Sequence, residues 1–304
     1  MAVVRTNWDT TSNQDALRGG IRKVFDSTGG DILVESHMLY NMVGTDEYIN
    51  RDLRVGQLDF GGSVPEGQQI PIQDPKFGQK LDYTQAKFGT GFRITMEMKK
   101  FNKIDEMERL SKSLRKVMKE GKDVELAKLW NSPTATYTGF TGVVLGSASQ
   151  TTLDDAATGY DNLGSEALST TALQNALYYF DTIIDDQGNA DPKTPDCLYY
   201  EPTLQWTANE LMRSSDKPHE FSNTINTYKD WDLKLFNFHR LTSSTAWGMV
   251  AKKDSGYDVN CFTSHEADLV FEGPFDTTRD TLVTSAQLFQ FGFGDPRTVY
   301  IGNT

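Results

Sequence analysis

Cysteine and histidine are scarce in this 304-residue chain, and neither occurs in a pattern that binds metal. The two cysteines, Cys197 and Cys261, stand far apart in apolar, strand-like runs, so we interpret both as buried thiols. The four histidines are scattered without the spacing of metal ligands. The chain also has no H-E-x-x-H, G-x-S-x-G or phosphate-loop motif. We therefore predict a protein with no catalytic residues, no metal site and no cofactor, which is not an enzyme.

Long hydrophobic runs and an excess of basic residues are also missing. No apolar run approaches the roughly 18 residues that a membrane-spanning helix needs, and the N-terminal MAVVRTNWDTT lacks the apolar core of a signal peptide. The chain has 30 Lys and Arg against 42 Asp and Glu, a net charge of −12. This balance argues against a general nucleic-acid-binding surface and leaves room for a local one. We predict no membrane contact.

The longest helix-period segment covers residues 102–131. Asn102 and Asp105 have the spacing of a capping box, and Pro133 ends the segment. Three- and four-residue steps predict an inward apolar stripe, widened by Met118, Ala127 and Leu129. The stripe consists of Ile104, Met107, Leu110, Leu114, Val117, Gly121, Val124 and Lys128. We call this segment the spine helix.

A basic stripe follows the spine helix, in contrast to the acidic chain as a whole. Its members are Arg109, Lys112, Arg115, Lys116, Lys119 and Lys122. One interpretation is a solvated face, or a face that pairs with acidic residues of a neighbouring subunit. The other is a surface that binds a packaged polyanion through sequence-independent, salt-sensitive contacts.

Residues 51–100 are strand-like and rich in turn residues. The pattern predicts strands at residues 53–60, 68–73 and 80–98, with Gly, Pro and Asp between them. Clear alternation of apolar and polar residues occurs only in the stretch from Phe92 to Met98. A long hairpin with little apolar content is marginal alone in water, so it must lie on its own domain or on a neighbour.

The first 50 residues predict an extended polar arm at residues 1–12 and two short helices. The first helix covers residues 13–25 and is interrupted by Gly19 and Gly20; the second covers residues 32–42.

Residues 169 onward predict a compact α/β unit. Ser169 or Thr170 caps a helix, residues 197–200 form a buried strand, and Pro202 opens a second helix. Strands follow at residues 233–238, 246–252, 265–272, 279–293 and 298–301. The acidic residues at 185–191 lack calcium-loop spacing, so we interpret them as a solvated turn. The fold class is therefore α+β.

The ordered set of segments resembles the major capsid proteins of tailed bacteriophages, which have the Hong Kong 97-type fold. Three stretches carry the resemblance: STTALQNALYYFDTIIDDQGNADPKTPDCLYYEPTLQWTANEL at 169–211, HRLT through Ala246-Trp247 at 239–247, and FGFGDPRTVYIGN at 291–303. The resemblance implies an N-terminal arm with short helices (1–50), an extended hairpin loop (51–100) and a peripheral domain with the spine helix (101–139). It also implies an axial α/β domain (140–275) and closing strands that return to the peripheral domain (276–304).

The resemblance implies assembly with copies of the same chain. Hexamers and pentamers would form an icosahedral shell around double-stranded DNA, with the extended loop lying over an adjacent subunit. The loop residues expected at that contact are Phe60, Ile70, Ile72, Lys76, Phe77 and Lys80. The shell would be part of a virion assembled in the host cytoplasm, with a portal, a separate scaffolding protein and a decoration protein as further expected partners.

Three alternatives stay open at this point. A bacterial compartment shell of the encapsulin type would have the same fold and enclose cargo enzymes. A soluble enzyme with dispersed site residues would have a deep pocket lined by carboxylates of shifted pKa. A phage tail or decoration protein would lack the long spine helix.

Overall fold

The computed structural model describes residues 11–31, 34–101, 103–153, 159–214, 225–273 and 279–303. The helices in these ranges are α1 (Thr11–Asp31), α2 (Met96–Lys100), α3 (Ile104–Asn131), α4 (Thr170–Thr182) and α5 (Gln205–Arg213). The strands are β1 (Asn41–Gly44), β2 (Ile49–Val55), β3 (Phe77–Thr84), β4 (Ala86–Ile94), β5 (Cys197–Tyr200), β6 (Lys234–Asn237), β7 (Trp247–Val250), β8 (Val259–His265), β9 (Val270–Glu272), β10 (Thr281–Phe293) and β11 (Val299–Ile301).

A five-stranded sheet forms around β10, which is 13 residues long. Its path runs β1-β8-β10-β4, and β9 also pairs with β10. Alternate residues of β10 are buried, and Phe289, Phe291 and Phe293 all enter the core, as their spacing predicted. Each buried phenylalanine contributes about 1.5–3 kcal/mol through removal of its ring from water. These rings position the spine helix on the sheet.

The spine helix packs on this sheet over its whole length. Its C-terminal half shares a core with β10 through Leu126, Leu129 and Trp130. Its N-terminal half shares a second core with α1, through residues that include Met107 and Leu114. The spine helix therefore packs against β10 in both cores.

The second sheet has the order β11-β7-β5-β6 and forms the compact α/β unit predicted from the sequence. Ser169 caps α4 by accepting a hydrogen bond from the amide of Ala172 at 3.2 Å. Leu198 and Tyr200 of β5 pack with α4 and α5, while Cys197 and Tyr199 belong to the core under the spine helix. Strand alternation therefore places this sheet between its own helices and the spine.

The predicted hairpin at residues 51–100 differs from the structure. β2 and β3 form a two-stranded sheet, and residues 56–76 between them contain no strand. The predicted strand 80–98 is divided at Gln85, whose amide donates to the carbonyl of Tyr48 at 3.0 Å. After this break β4 joins the five-stranded sheet, and Met96 begins α2. We call residues 56–76 the loop.

The N-terminal prediction is also corrected. Gly19 and Gly20 lie inside one continuous helix, α1, because Ile21 and Phe25 anchor it on the spine helix. The segment predicted as a second helix forms a 3₁₀ turn at Glu35–Met38 and then β1. The carboxylate of Asp123 accepts from the amides of this turn, which fixes its start. The predicted arm at residues 1–12 lies outside the described residues, except for the first two residues of α1.

The buried face of the spine helix matches the predicted one only in part, since Met107, Leu114, Met118, Ala127 and Leu129 are buried as predicted. The helix begins at Ile104, with Lys103 at the cap position, and Asn102 of the predicted capping box lies outside the described residues. Its buried residues are Met107, Ser111, Leu114, Met118, Lys122, Asp123, Leu126, Ala127, Leu129 and Trp130. Leu110, Val117 and Val124 are exposed, because polar side chains with internal partners occupy the inward positions in their place.

Candidate assembly surfaces

Four charged side chains fasten the base of the loop to the rest of the chain. Arg54 of β2 lies 3.2 Å from Asp186 and also pairs with Asp295. Arg297 bonds Asp295 through Nε and Nη2, both at 2.8 Å, and reaches Asp186 at 3.2 Å. Each carboxylate is thus shared by both guanidinium groups, which is how buried charges are compensated. We call these four residues the ionic ring.

The prediction of a solvated turn at residues 185–191 is wrong. Asp185 and Asp186 are buried, and Asp186 belongs to the ionic ring. The Asp185 carboxylate accepts hydrogen bonds from the amides of Gln187 and Asn189, both at 2.8 Å. These bonds shape the turn.

The same turn also holds the start of the loop. The side chain of Gln187 donates to the carbonyl of Gln57 at 3.1 Å. The side-chain amide of Asn189 donates to the Asp59 carboxylate at 3.2 Å. The loop is therefore fixed at its base by the ionic ring and by two further hydrogen bonds.

Beyond its base, the loop presents apolar side chains to solvent. Phe60 is 75% exposed, Ile70 is 73% exposed and Ile72 is 85% exposed. Nine of the 19 large exposed hydrophobic residues in the described part of the chain lie between Tyr48 and Phe77. Exposed apolar surface concentrated in this way marks an interaction site.

All six residues predicted for the loop contact are exposed. They are Phe60, Ile70, Ile72, Lys76, Phe77 and Lys80. Lys80 lies at the base, in β3, where its ammonium is 3.6 Å from Asp82. The apolar members are thus spread along the loop and at its return to the sheet.

A second exposed apolar surface follows the spine helix. Leu110, Val117 and Val124 recur every seven residues on the side turned to solvent, and Val117 is 50% exposed. Gly121 lies among them, and no atom stands within 4 Å of the position a Cβ would take. We call these four residues the outer stripe. Its seven-residue spacing keeps it on one side of the helix.

The six basic residues of the spine helix do not share one face. Lys122 is buried, and Arg115 donates to the carbonyl of Ala267 at 2.6 Å and stacks on Phe25. These two hold the helix to its own chain. The remaining four are Arg109, Lys112, Lys116 and Lys119. Lys119 is half-buried, and the other three are exposed. Lys116 is also 3.6 Å from Glu120, one turn later.

A carboxyl with a raised pKa lies close to the ionic ring. Burial is the main cause that raises the pKa of Asp258, to about 6. The nearby guanidinium of Arg54 lowers this pKa, and the Asp52 carboxylate raises it. Desolvation disfavours the charged form of a carboxyl, and here it outweighs the nearby guanidinium. Asp258 therefore takes up its proton near pH 6, above the range of an ordinary aspartate.

No part of the described chain offers a metal site or a membrane span. No three His, Cys, Asp or Glu side chains in the described ranges converge as metal ligands. Within those same ranges, no helix has the length and apolar character to cross a membrane.

Solved structures of protein shells share this fold. The procapsid of bacteriophage JBD30 matches with a TM-score of 0.58 and 11% identity over 97% of this chain and 76% of that one. The acid-stable capsid of Helicobacter pylori bacteriophage KHP30 matches with a TM-score of 0.53 and 10% identity over 90% and 92%. The SrpI encapsulin complex of Synechococcus elongatus PCC 7942 matches with a TM-score of 0.54 and 11% identity over 88% and 85%. The chain therefore has the Hong Kong 97-like shell fold that its sequence predicted.

Within this class of shell-forming proteins, sequence identifies the family. The family model described as phage capsid protein matches residues 78–302. The chain belongs to the phage capsid protein family, whose members are structural components of the virion. No curated protein matches the chain in sequence.

Sequence reasoning missed the ionic ring. Its members come from residue 54, residue 186 and residues 295–297, so no local pattern brings them together. The nearest signal was the Asp295-Pro296-Arg297 run, which carried part of the family resemblance. Asp186 lies in the 169–211 stretch that also carried the resemblance, whereas Arg54 had no comparable signal.

Proposed function

We propose that this chain is the major subunit of an icosahedral capsid that encloses double-stranded DNA, with hexamers and pentamers as its building units. The exposed apolar loop carries the proposal. Its base is fixed on its own chain, while Phe60, Ile70 and Ile72 contact water, so a neighbouring subunit is the natural cover. A loop of one subunit placed on the next is a heterologous contact, which closes into rings.

The outer stripe of the neighbour is the surface that we assign to the loop. It is apolar, lies on a 28-residue helix and is exposed within the described part of the chain. The missing side chain at Gly121 leaves room for the backbone of the loop. Apolar surface buried there would contribute about 25 cal/mol per Å² before the cost of association.

An experiment on the loop tests the proposal. Ile70→Asp with Ile72→Asp places two charges in the contact, whereas Gln68→Asp with Gln69→Asp changes the charge equally at nearby exposed positions. We expect shells from the wild type and the control, and only small oligomers from the isoleucine variant, by electron microscopy and sedimentation. Wild-type protein that stays monomeric under all assembly conditions contradicts the proposal.

The basic residues of the spine helix are our proposed contact with packaged DNA. Arg109, Lys112, Lys116 and Lys119 would bind phosphates without reading sequence. Reversal of Lys112, Lys116 and Lys119 to Glu separates the two interpretations of this surface. Normal empty shells with altered packaging assign the residues to the genome, and failed assembly without DNA assigns them to a neighbour. Lys229→Glu, at an exposed position elsewhere, is the control.

The domain division that we propose keeps the predicted arm, loop, peripheral, axial and closing segments, with one boundary moved. Residues 86–94 are assigned to the peripheral domain, because β4 pairs with β10 beside the spine helix. A portal, a separate scaffolding protein, a decoration protein and assembly in the host cytoplasm complete the proposal by analogy with the family. Particles that contain cargo enzymes instead of nuclease-protected DNA would favour the encapsulin alternative.

A further inference from the structure

The outer edge of the five-stranded sheet is open at β1. This strand pairs only with β8, in parallel, so its other side has no strand partner among the described residues. Proteins usually protect such edges with charged residues or proline. The sequence of β1, Asn-Met-Val-Gly, has neither, and no atom stands within 4 Å of a Cβ built at Gly44. The edge is therefore able to accept another strand.

The hydrogen-bonding groups that face outward can be assigned. The amide of Thr45 donates to the carbonyl of Thr263 on the β8 side at 3.0 Å. Successive residues of a strand point their backbone groups to opposite edges, so those of Gly44 and Met42 face away from β8. Two residues of β1 thus offer backbone donors and acceptors to a new strand.

A cleft of about 200 Å³ lies along this edge. Its lining combines Met42, Val43 and Gly44 of β1, Thr263 and Ser264 of β8, and Lys122 of the spine helix. Such a volume holds on the order of ten waters, which is enough for one side chain and part of a backbone.

Lys122 gives the cleft its charge. The residue is 5% exposed, and its ammonium is 3.1 Å from the Thr263 hydroxyl and 3.5 Å from Glu266. Glu266 is mostly exposed, and an exposed carboxylate is a weak partner because water screens it. A buried ammonium beside an open cleft therefore favours a further carboxylate that enters from outside.

We propose that the β1 edge receives an extended segment of a second copy of this chain, which adds a strand to β1 and places a carboxylate at Lys122. A second copy can supply this carboxylate, because the chain has 42 acidic residues and a net charge of −12, which complements the ammonium of Lys122. The proposal rests on the proposed shell function, because it needs a neighbour in a repeated position. It concerns a different surface from the outer stripe, because Lys122 belongs to the buried residues of the spine helix and the outer stripe is exposed.

Hydrogen exchange on assembled wild-type shells and on free subunits tests the strand. We expect the amides of Met42 and Gly44 to exchange at least about tenfold more slowly in shells, because they become hydrogen-bonded. Equal exchange in shells and free subunits overturns the inference and leaves the shell function intact. Failure of the wild type to form shells contradicts the shell function itself.

Gly44 also offers a matched pair of variants. Gly44→Pro removes the outward amide without touching the β8 ladder, whereas Gly44→Ala keeps the amide and adds a methyl group in open space. We expect the proline variant to lower shell yield at least about tenfold against the alanine variant, with equal melting temperatures of the free subunits. Equal yields from the two variants overturn the inference.

The carboxylate is tested at Lys122. Lys122→Met keeps an unbranched chain over the ring of Phe289 and removes the charge, whereas Lys122→Arg keeps the charge. We expect shells of the methionine variant to dissociate at lower denaturant concentration, beyond any change in the free subunit. Shells of wild-type stability from the methionine variant overturn the assignment of a carboxylate to the cleft.

Discussion

Arg54 is the member of the ionic ring that belongs to the loop side. Asp186, Asp295 and Arg297 stay together without it, but then two carboxylates share one guanidinium. A buried ion network that loses one partner leaves an uncompensated charge, which costs more than the intact network contributes.

Arg54→Met is therefore expected to lower the free energy of unfolding by about 3 kcal/mol. The matched control is Arg51→Met, because Arg51 is exposed and its carboxylate partner, Asp82, is 3.6 Å away. That change should stay within about 0.5 kcal/mol of the wild type, since exposed pairs contribute little. Denaturant unfolding of the free subunit measures both, and equal losses would contradict the role of the ring.

Asp258 predicts a pH dependence. Its pKa of about 6 in the folded chain lies above that of an unfolded aspartate, so the folded state binds the extra proton between about pH 4 and 6. Its contribution to stability is consequently most favourable below pH 4 and is lost as pH rises through 6.

Asp258→Asn mimics the protonated carboxyl. We expect the variant to melt above the wild type at pH 8 and to approach it at pH 4.5, by differential scanning calorimetry on the free subunit. A variant that melts below the wild type at pH 8, with the gap closing toward acid pH, would show that Arg54 dominates over burial.

The spine helix shows which structural features hydrophobic periodicity can predict. Its length and its end before Pro133 were predicted correctly, because both depend on local residues. Its inward face was predicted only in part: Met107 and Leu114 are buried, but Leu110, Val117 and Val124 have the right spacing for a core and face solvent instead. Ser111 and Lys122 are inward because they bond to Ile21 and Thr263, which are distant in sequence.

Gly121→Ala tests the open position in this helix. Alanine has a higher helix propensity by about 1 kcal/mol, and a Cβ at Gly121 meets no atom. The free subunit should therefore gain about 0.5–1 kcal/mol in unfolding free energy. Gly139→Ala is the contrasting variant, because its Cβ would collide with the carbonyl of Gly294 and the ring of Phe293. Destabilisation by Gly121→Ala would mean that the helix is strained there.

The sequence predicted some strands correctly and failed to predict others. β5 and β10 were predicted from apolar runs and alternation, while β8 was missed and the strand at residues 68–73 does not exist. Strand pairing depends on partners far along the chain, which one sequence does not display. The fold class as a whole was predictable because its order of elements, with the family resemblance, was distinctive.

The charge of the subunit predicts how its assembly responds to salt. Subunits that each carry −12 repel one another, whereas the contacts assigned to the loop are apolar. Raising ionic strength from 0.01 M to 0.15 M shortens the screening length from about 30 Å to about 8 Å. Light scattering should show faster assembly at the higher salt, with sucrose at equal osmolality as the control. Slower assembly would mean that attraction between opposite charges dominates the contacts.

The ionic ring also sets an order of events during synthesis. Arg297 leaves the ribosome 243 residues after Arg54. At 5–20 residues per second, that interval is roughly 12 to 50 seconds. During that interval the guanidinium of Arg297 is missing, and Asp186 can pair only with Arg54. A nascent chain therefore holds its loop through fewer contacts than the finished subunit, and we expect this to disfavour premature association of unfinished subunits on one messenger RNA.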